Sequence, residues 1–146
     1  MITIILLFIC QVADSTKCNT IYKIDRLFST ESKWDSFIKQ LILHETKELK
    51  DLIGDNGRAV GVLQMHPIMV DEINRITGKN FKYSDRWSRE KSVEMFNLYQ
   101  NHYNPQKDLE LAARLWNAGP KALNKKHNYL TDSYVNKLLK INQNTY

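Results

Sequence analysis

The stretch that decides the reading is HETKELKDLIGDNGRAVGVLQMHP, residues 44–67. It opens as the end of an amphipathic helix and turns, halfway along, into a small, glycine-punctuated segment. The whole chain has five glycines, and three of them, Gly54, Gly57 and Gly61, fall within this loop. Glycine admits backbone angles and close approaches that other residues resist. Asp55 and Asn56 favour a turn through side-chain to backbone hydrogen bonds. VGVLQM is too apolar for a solvated tip, and a plain helix-to-helix connection is usually shorter. Two alternatives stand at this point: an ordinary connection, or a loop that serves a site.

Working outward, residues 33–52 read as one helix. At about 100° per residue, Trp34, Phe37, Ile38, Leu41, Leu49 and Leu52 share a face. Glu45 falls near the middle of that apolar face, while Lys33, Lys39 and Lys50 point outward. A carboxylate on a core-facing stripe is costly unless it is paired, neutralised or opened to a cleft. Desolvation raises its pKa and makes it a usable general acid near neutral pH. The plainer alternative is a glutamate at a frayed helix end. Glu48 lies on the flank of the stripe and is the weaker candidate.

Four more helices follow. One starts near Pro67 and stops at Gly78. Ser88 caps REKSVEMFNLYQNHY, in which Val93, Phe96, Tyr99 and Tyr103 recur at helical spacing. KDLELAARLWNAGP ends at Gly119 and Pro120. Thr131 caps DSYVNKLLKI, with Tyr134, Leu138 and Ile141 on one side. The class is mainly α, with at most a minimal β element near residues 57–65. Trp87, Phe96, Tyr99 and Tyr103 read as core aromatics, and the basic run KALNKKHNYL, residues 121–130, reads as a solvated loop.

With 146 residues and a hydrophobic share of 42% the chain forms one folded domain rather than a disordered one. The formal charge of +5 is scattered. It favours polyanions in general, and without a reading element it does not indicate nucleic acid. At the N-terminus, ITIILLFIC is too short to span a bilayer and suits the apolar core of a secretory signal over residues 1–13, followed by a linker over 14–32. A buried N-terminal segment is the alternative, and Cys10 admits a lipid anchor as a lesser one. Cys10 and Cys18 are too few for a disulfide framework. The four histidines lack ligand spacing such as HExxH, so neither a metal nor another cofactor is expected.

The ordered blocks Glu45-Thr46, Gly61-Val62-Leu63-Gln64-Met65 before Pro67, Trp116-Asn117-Ala118-Gly119-Pro120, and Tyr134-Val135 resemble those of the lysozyme-like SLT-type lytic transglycosylases. Those blocks run roughly ES, GLMQI-x-P, YNAGP and YV. GDNGRAVGVLQ is also similar to the matching loop of goose-type lysozymes and phage muramidases. The resemblance spans residues 34–139 and implies a lysozyme-like domain with a catalytic cleft over 33–142. It implies that Glu45 is the acid that protonates the glycosidic oxygen between N-acetylmuramic acid and N-acetylglucosamine. Thr46, Gly61, Gln64, Trp116 and Asn117 would serve the sugar cleft, and Tyr134 would place its hydroxyl near the glutamate. Thr46 stands for the family's serine and Trp116 for its tyrosine. His66 stands where goose-type enzymes carry an aspartate. Asp55 matches a goose-type aspartate that helps position a hydrolytic water, and a turn-capping role is equally open to it.

The expected partner is therefore the glycan strand of peptidoglycan. The chain would act as a monomer, exported to the envelope or carried in a virion, and would meet a membrane only through its N-terminus. The alternative is an inactive glycan-binding or structural component of the same fold. A lesser one is activity on chitin.

Overall fold

The computed structural model describes residues 32–47 and 49–141. The apolar N-terminal segment, the linker to residue 31, both cysteines, Glu48 and the Ile141 side chain lie outside the described residues, as do the expectations attached to them. The chain divides after Ser32 into two units, and all elements below belong to the second.

The described structure is mainly α-helical. Helix α1 is Lys33–Glu45. A two-stranded hairpin follows, β1 (Ile53–Gly54) against β2 (Ala59–Val60), antiparallel with Ile53 opposite Val60. Then come α2 (Pro67–Thr77), a 3₁₀ turn at Tyr83–Trp87, α3 (Arg89–Tyr103) and α4 (Leu109–Ala118). Two further 3₁₀ turns, Gly119–Leu123 and Lys125–Leu130, lead to α5 (Asp132–Ile141).

Local chemistry sets most of these boundaries. Pro67 opens α2, and Gly78 closes it at φ 69°, its N–H donating to Asn74. The Ser88 hydroxyl accepts from the Lys91 N–H at the start of α3, and Asp108 does the same for Leu111 at the start of α4. Gly119 ends α4 as expected. Thr131 precedes α5, but its hydroxyl accepts from Arg114 and donates to the Asn128 carbonyl.

Other expectations need correction as well. The first helix stops at Glu45 rather than near Leu52. Thr46 is the cause: its hydroxyl donates to the Ile42 carbonyl at 2.7 Å and accepts from the Leu49 N–H at 2.9 Å. The chain then turns through left-handed Lys47 and Leu49, which leaves Leu49 and Leu52 exposed. The β element begins at Ile53, earlier than residue 57, with a further bridge from Val60 to Met65. The basic segment 121–130 is solvated as expected, exposed apart from Ala122 and in part Asn128, but it is wound into 3₁₀ turns rather than a plain loop.

The core gathers where α1, α3 and α4 meet. Trp34 stacks on Phe37 and Phe96, each with centroids 5.7 Å apart, and Trp116 meets Phe96 edge-on at 5.1 Å. The Trp34 indole N–H donates to Asn97. Phe96 and Tyr99 are core residues as the helical spacing implied, whereas Trp87 is half exposed. Helix α5 packs across both α1 and α4, and so brings Tyr134 back to the end of α1.

Candidate active site

Glu45 is the last residue of α1, so its side chain leaves the helix just where the backbone turns away. It is half-buried. Its Oε1 accepts a hydrogen bond from the Tyr134 hydroxyl on α5, a partner 89 positions further along the chain. Burial pushes the Glu45 carboxyl above its ordinary value, and the tyrosine bond, which favours the ionised form, opposes part of that rise. Burial also pushes the Tyr134 phenol far up, with the carboxylate adding to the effect, so it stays a donor across the neutral range. His44 lies edge-on to Tyr134 at 5.0 Å. Burial, and then Lys137, lower its pKa. The pair is therefore a protonatable acid held by a neutral donor.

The sign of the tyrosine bond gives a test. Removing it in Tyr134→Phe raises the Glu45 pKa further. If Glu45 must be protonated to act, the alkaline limb of the pH–rate profile moves to higher pH in that variant. A limb that stays in place would show that Glu45 does not set it.

The glycine loop is held by its own polar groups. Asp55, Asn56 and Gly57 are all left-handed, a tight corner that the Asp-Asn-Gly sequence suits. The Asp55 carboxylate pairs with Arg58 at 2.9 Å and lies 3.4 Å from His66 Nε2. Gln64, at φ 47°, folds its amide back to donate to the carbonyls of Gly61 and Asp51. Gly54 makes this fit possible, since a Cβ there would lie 2.3 Å from the Gln64 Oε1. The Arg86 guanidinium pins the same loop from outside, bonding the carbonyls of Arg58, Met65 and Tyr83. Gly61, at φ 76°, passes so close to the 3₁₀ turn that a Cβ would sit 1.9 Å from the Arg86 carbonyl oxygen.

A cavity of about 440 Å³ opens beside this loop, lined by residues 64–66 with Ile68, Met69 and Glu72 of α2, Tyr99 of α3, and residues 116–120. Gln64, Trp116 and Asn117, expected together at a sugar cleft, do line one space, with Asn117 exposed at its rim. Glu45 and Tyr134 do not line it. Thr46 does not either: it is fully buried, and its hydroxyl is spent on ending α1, which makes it a positioning residue for Glu45. Gly61 approaches the 3₁₀ turn. Asp55 sits in an exposed ion-pair cluster outside the lining.

Several residues in the site region escape a reading of the sequence. Glu72 lines the cavity and is gripped by Arg75 through both carboxylate oxygens and by the Tyr103 hydroxyl. Arg86 is nearly buried without any pattern in DRW to announce it. Arg114, also nearly buried, ties Glu110 and Asp132 together across α4 and α5. An i,i+4 spacing flags Glu110–Arg114, and nothing local flags the rest.

Among the described residues there is no cluster of three side chains able to hold a metal, and no helix long and apolar enough to cross a membrane. Comparison with family models, curated proteins and solved structures finds no match to the chain.

Proposed function

We propose that the chain cleaves the glycan strand of peptidoglycan between N-acetylmuramic acid and N-acetylglucosamine, in a lysozyme-like fold with Glu45 as general acid. The observation that carries this reading is the Glu45–Tyr134 pair: a half-buried carboxyl with a raised pKa, held by a protonated phenol from a distant helix. The ordered resemblance of the four sequence blocks supplies the substrate class. Export to the envelope, or carriage in a virion, is part of the same proposal.

Glycoside hydrolysis ordinarily uses two carboxylates. Asp55 pairs with Arg58 at 2.9 Å and lies 3.4 Å from His66, contacts that favour a turn-holding role for it and so a route with one acid. Glu45 donates its proton to the glycosidic oxygen as the bond to the muramic acid C1 breaks, with the substrate's acetamido group assisting. The same sugar's 6-hydroxyl then closes on C1 and returns its proton to Glu45. Atoms and charges balance, no water is consumed, and the product ends in a 1,6-anhydro sugar. On this route Asp55→Asn keeps activity within about threefold of the parent, since only an exposed ion pair is lost. A fall of a hundredfold or more would give Asp55 the water-positioning role instead.

One observation favours a second reading. Glu45 does not line the cavity that holds Gln64, Trp116 and Asn117, an arrangement compatible with a protein that holds glycan without cutting it. Incubation with purified sacculi separates the two. The enzyme lowers turbidity, whereas a binding protein sediments with the sacculi and leaves turbidity unchanged.

A further inference from the structure

The basic segment between α4 and α5 presents a surface that neither the fold nor the proposed chemistry uses. It is fixed from beneath. Ala122 is buried, and the nearly buried Arg114 donates to the Asn128 carbonyl and to the Thr131 hydroxyl. Its turns close locally, the Asn124 carbonyl accepting from the His127 N–H and the Asn124 side chain from the Lys126 N–H. Leu123, Tyr129 and Leu130 are left standing in water, the last two 70% and 63% exposed. Single exposed apolar residues are ordinary, but three on one short, anchored segment call for a reason.

Charge is concentrated in the same place. No aspartate or glutamate occurs between Glu110 and Asp132, whereas Lys121, Lys125, Lys126 and His127 do. Glu110 and Asp132 are themselves taken by Arg114. Among the described residues the three lysines have no ion pair, and all three are exposed. Lys121, Leu123, Lys125 and His127 line a shallow basin with Pro120 and Asn124, so cationic and apolar side chains share one face. A soluble polyanion would engage the lysines and leave Leu123 and Leu130 in water. A phospholipid surface engages both kinds: anionic headgroups meet the ammonium groups, leucine enters the acyl boundary, and tyrosine sits at headgroup level. We propose that residues 121–130 dock the protein on an anionic phospholipid surface, lying on it rather than crossing it. This contact is separate from the apolar N-terminal segment and does not rest on the glycan-cleaving reading.

The test is co-sedimentation of the full chain with vesicles of phosphatidylcholine alone and of phosphatidylcholine mixed with phosphatidylglycerol. The protein should bind the anionic vesicles more tightly, and added salt should weaken that preference. Lys121→Gln, Lys125→Gln and Lys126→Gln together should weaken binding to the anionic vesicles about a hundredfold, about fivefold for each lysine. The double variant Leu123→Ser, Leu130→Ser keeps every charge and should lose about tenfold. All five replaced side chains are exposed, so both variants should fold as the parent does. The apolar residues 2–10 are common to the three proteins, so differences between them report on the segment. Equal binding of the two vesicle types by the parent, or unchanged binding by the lysine variant, would overturn the proposal. Unchanged vesicle binding by the leucine variant would overturn it too. Soluble polyphosphate bound alike by that variant and the parent would then mark a site for a soluble polyanion.

Discussion

Replacement of Glu45 by glutamine is expected to slow the loss of sacculus turbidity roughly 10²- to 10⁴-fold, the range a positioned general acid contributes. Glutamine keeps the shape and can still accept the Tyr134 hydroxyl, so α1 and α5 remain joined. Stability should not fall. The folded-state pKa of Glu45 is raised, so its contribution is fully present below the unfolded carboxyl value and is lost as pH rises through the folded value. Glutamine removes that loss, and the variant melts at the parent's temperature or higher near neutral pH. Full lytic activity in a folded Glu45→Gln protein would end the catalytic reading. Loss of both activity and fold would instead mark Glu45 as structural.

Gly61→Ala carries the largest expected effect on stability. The added Cβ would sit 1.9 Å from a backbone carbonyl oxygen, and φ 76° is strained for alanine as well. Neither the β2 turn nor the Tyr83–Trp87 turn can move freely, because Arg86 bonds the carbonyls of Arg58 and Met65 across the gap. A loss of roughly 3–5 kcal/mol follows from overpacking and backbone strain combined. Gly57→Ala is the control. Its φ of 86° is equally left-handed, but nothing lies within 4 Å of the new Cβ. Only the backbone term of about 1–2 kcal/mol remains there. Urea unfolding of the two variants against the parent measures the difference, and equal midpoints for all three would contradict the packing described at Gly61.

The contrast between these residues shows how much the sequence makes legible. Helices α2 and α3 are readable at Pro67, Gly78 and Ser88, and α4 at Gly119, because these residues act locally, each satisfying or releasing a backbone group within a few positions; the Asp108 cap of α4 emerges only in the structure. The end of α1 is not readable in that way. Leu49 and Leu52 continue the helical period, yet the Thr46 hydroxyl captures the Leu49 N–H and the chain turns through non-glycine residues in left-handed conformations. Leucine at φ 66° is a tertiary outcome that no local propensity announces.

The candidate site divides along the same line. Glu45 is visible as a carboxylate on an apolar stripe, since periodicity alone puts it toward the core. Its partner Tyr134 lies too far along the chain for any spacing rule, and only the resemblance of ordered blocks joined the two. Gln64, Trp116 and Asn117 meet at one cavity, while Thr46 turns inward and Asp55 stays in its ion-pair cluster. Glu72 and Tyr99 belong to α2 and α3, and each looks ordinary on its own helix. The packing of those helices, not any local pattern, leaves the buried Tyr99 hydroxyl without a hydrogen-bond partner.

The most direct test of the central claim is the mass spectrum of material released from purified sacculi by the unaltered protein. Glycan cleavage by a single acid predicts soluble muropeptides ending in 1,6-anhydro-N-acetylmuramic acid, absent when the Glu45→Gln protein is used. Sacculi that bind the protein and release no fragments would contradict the claim.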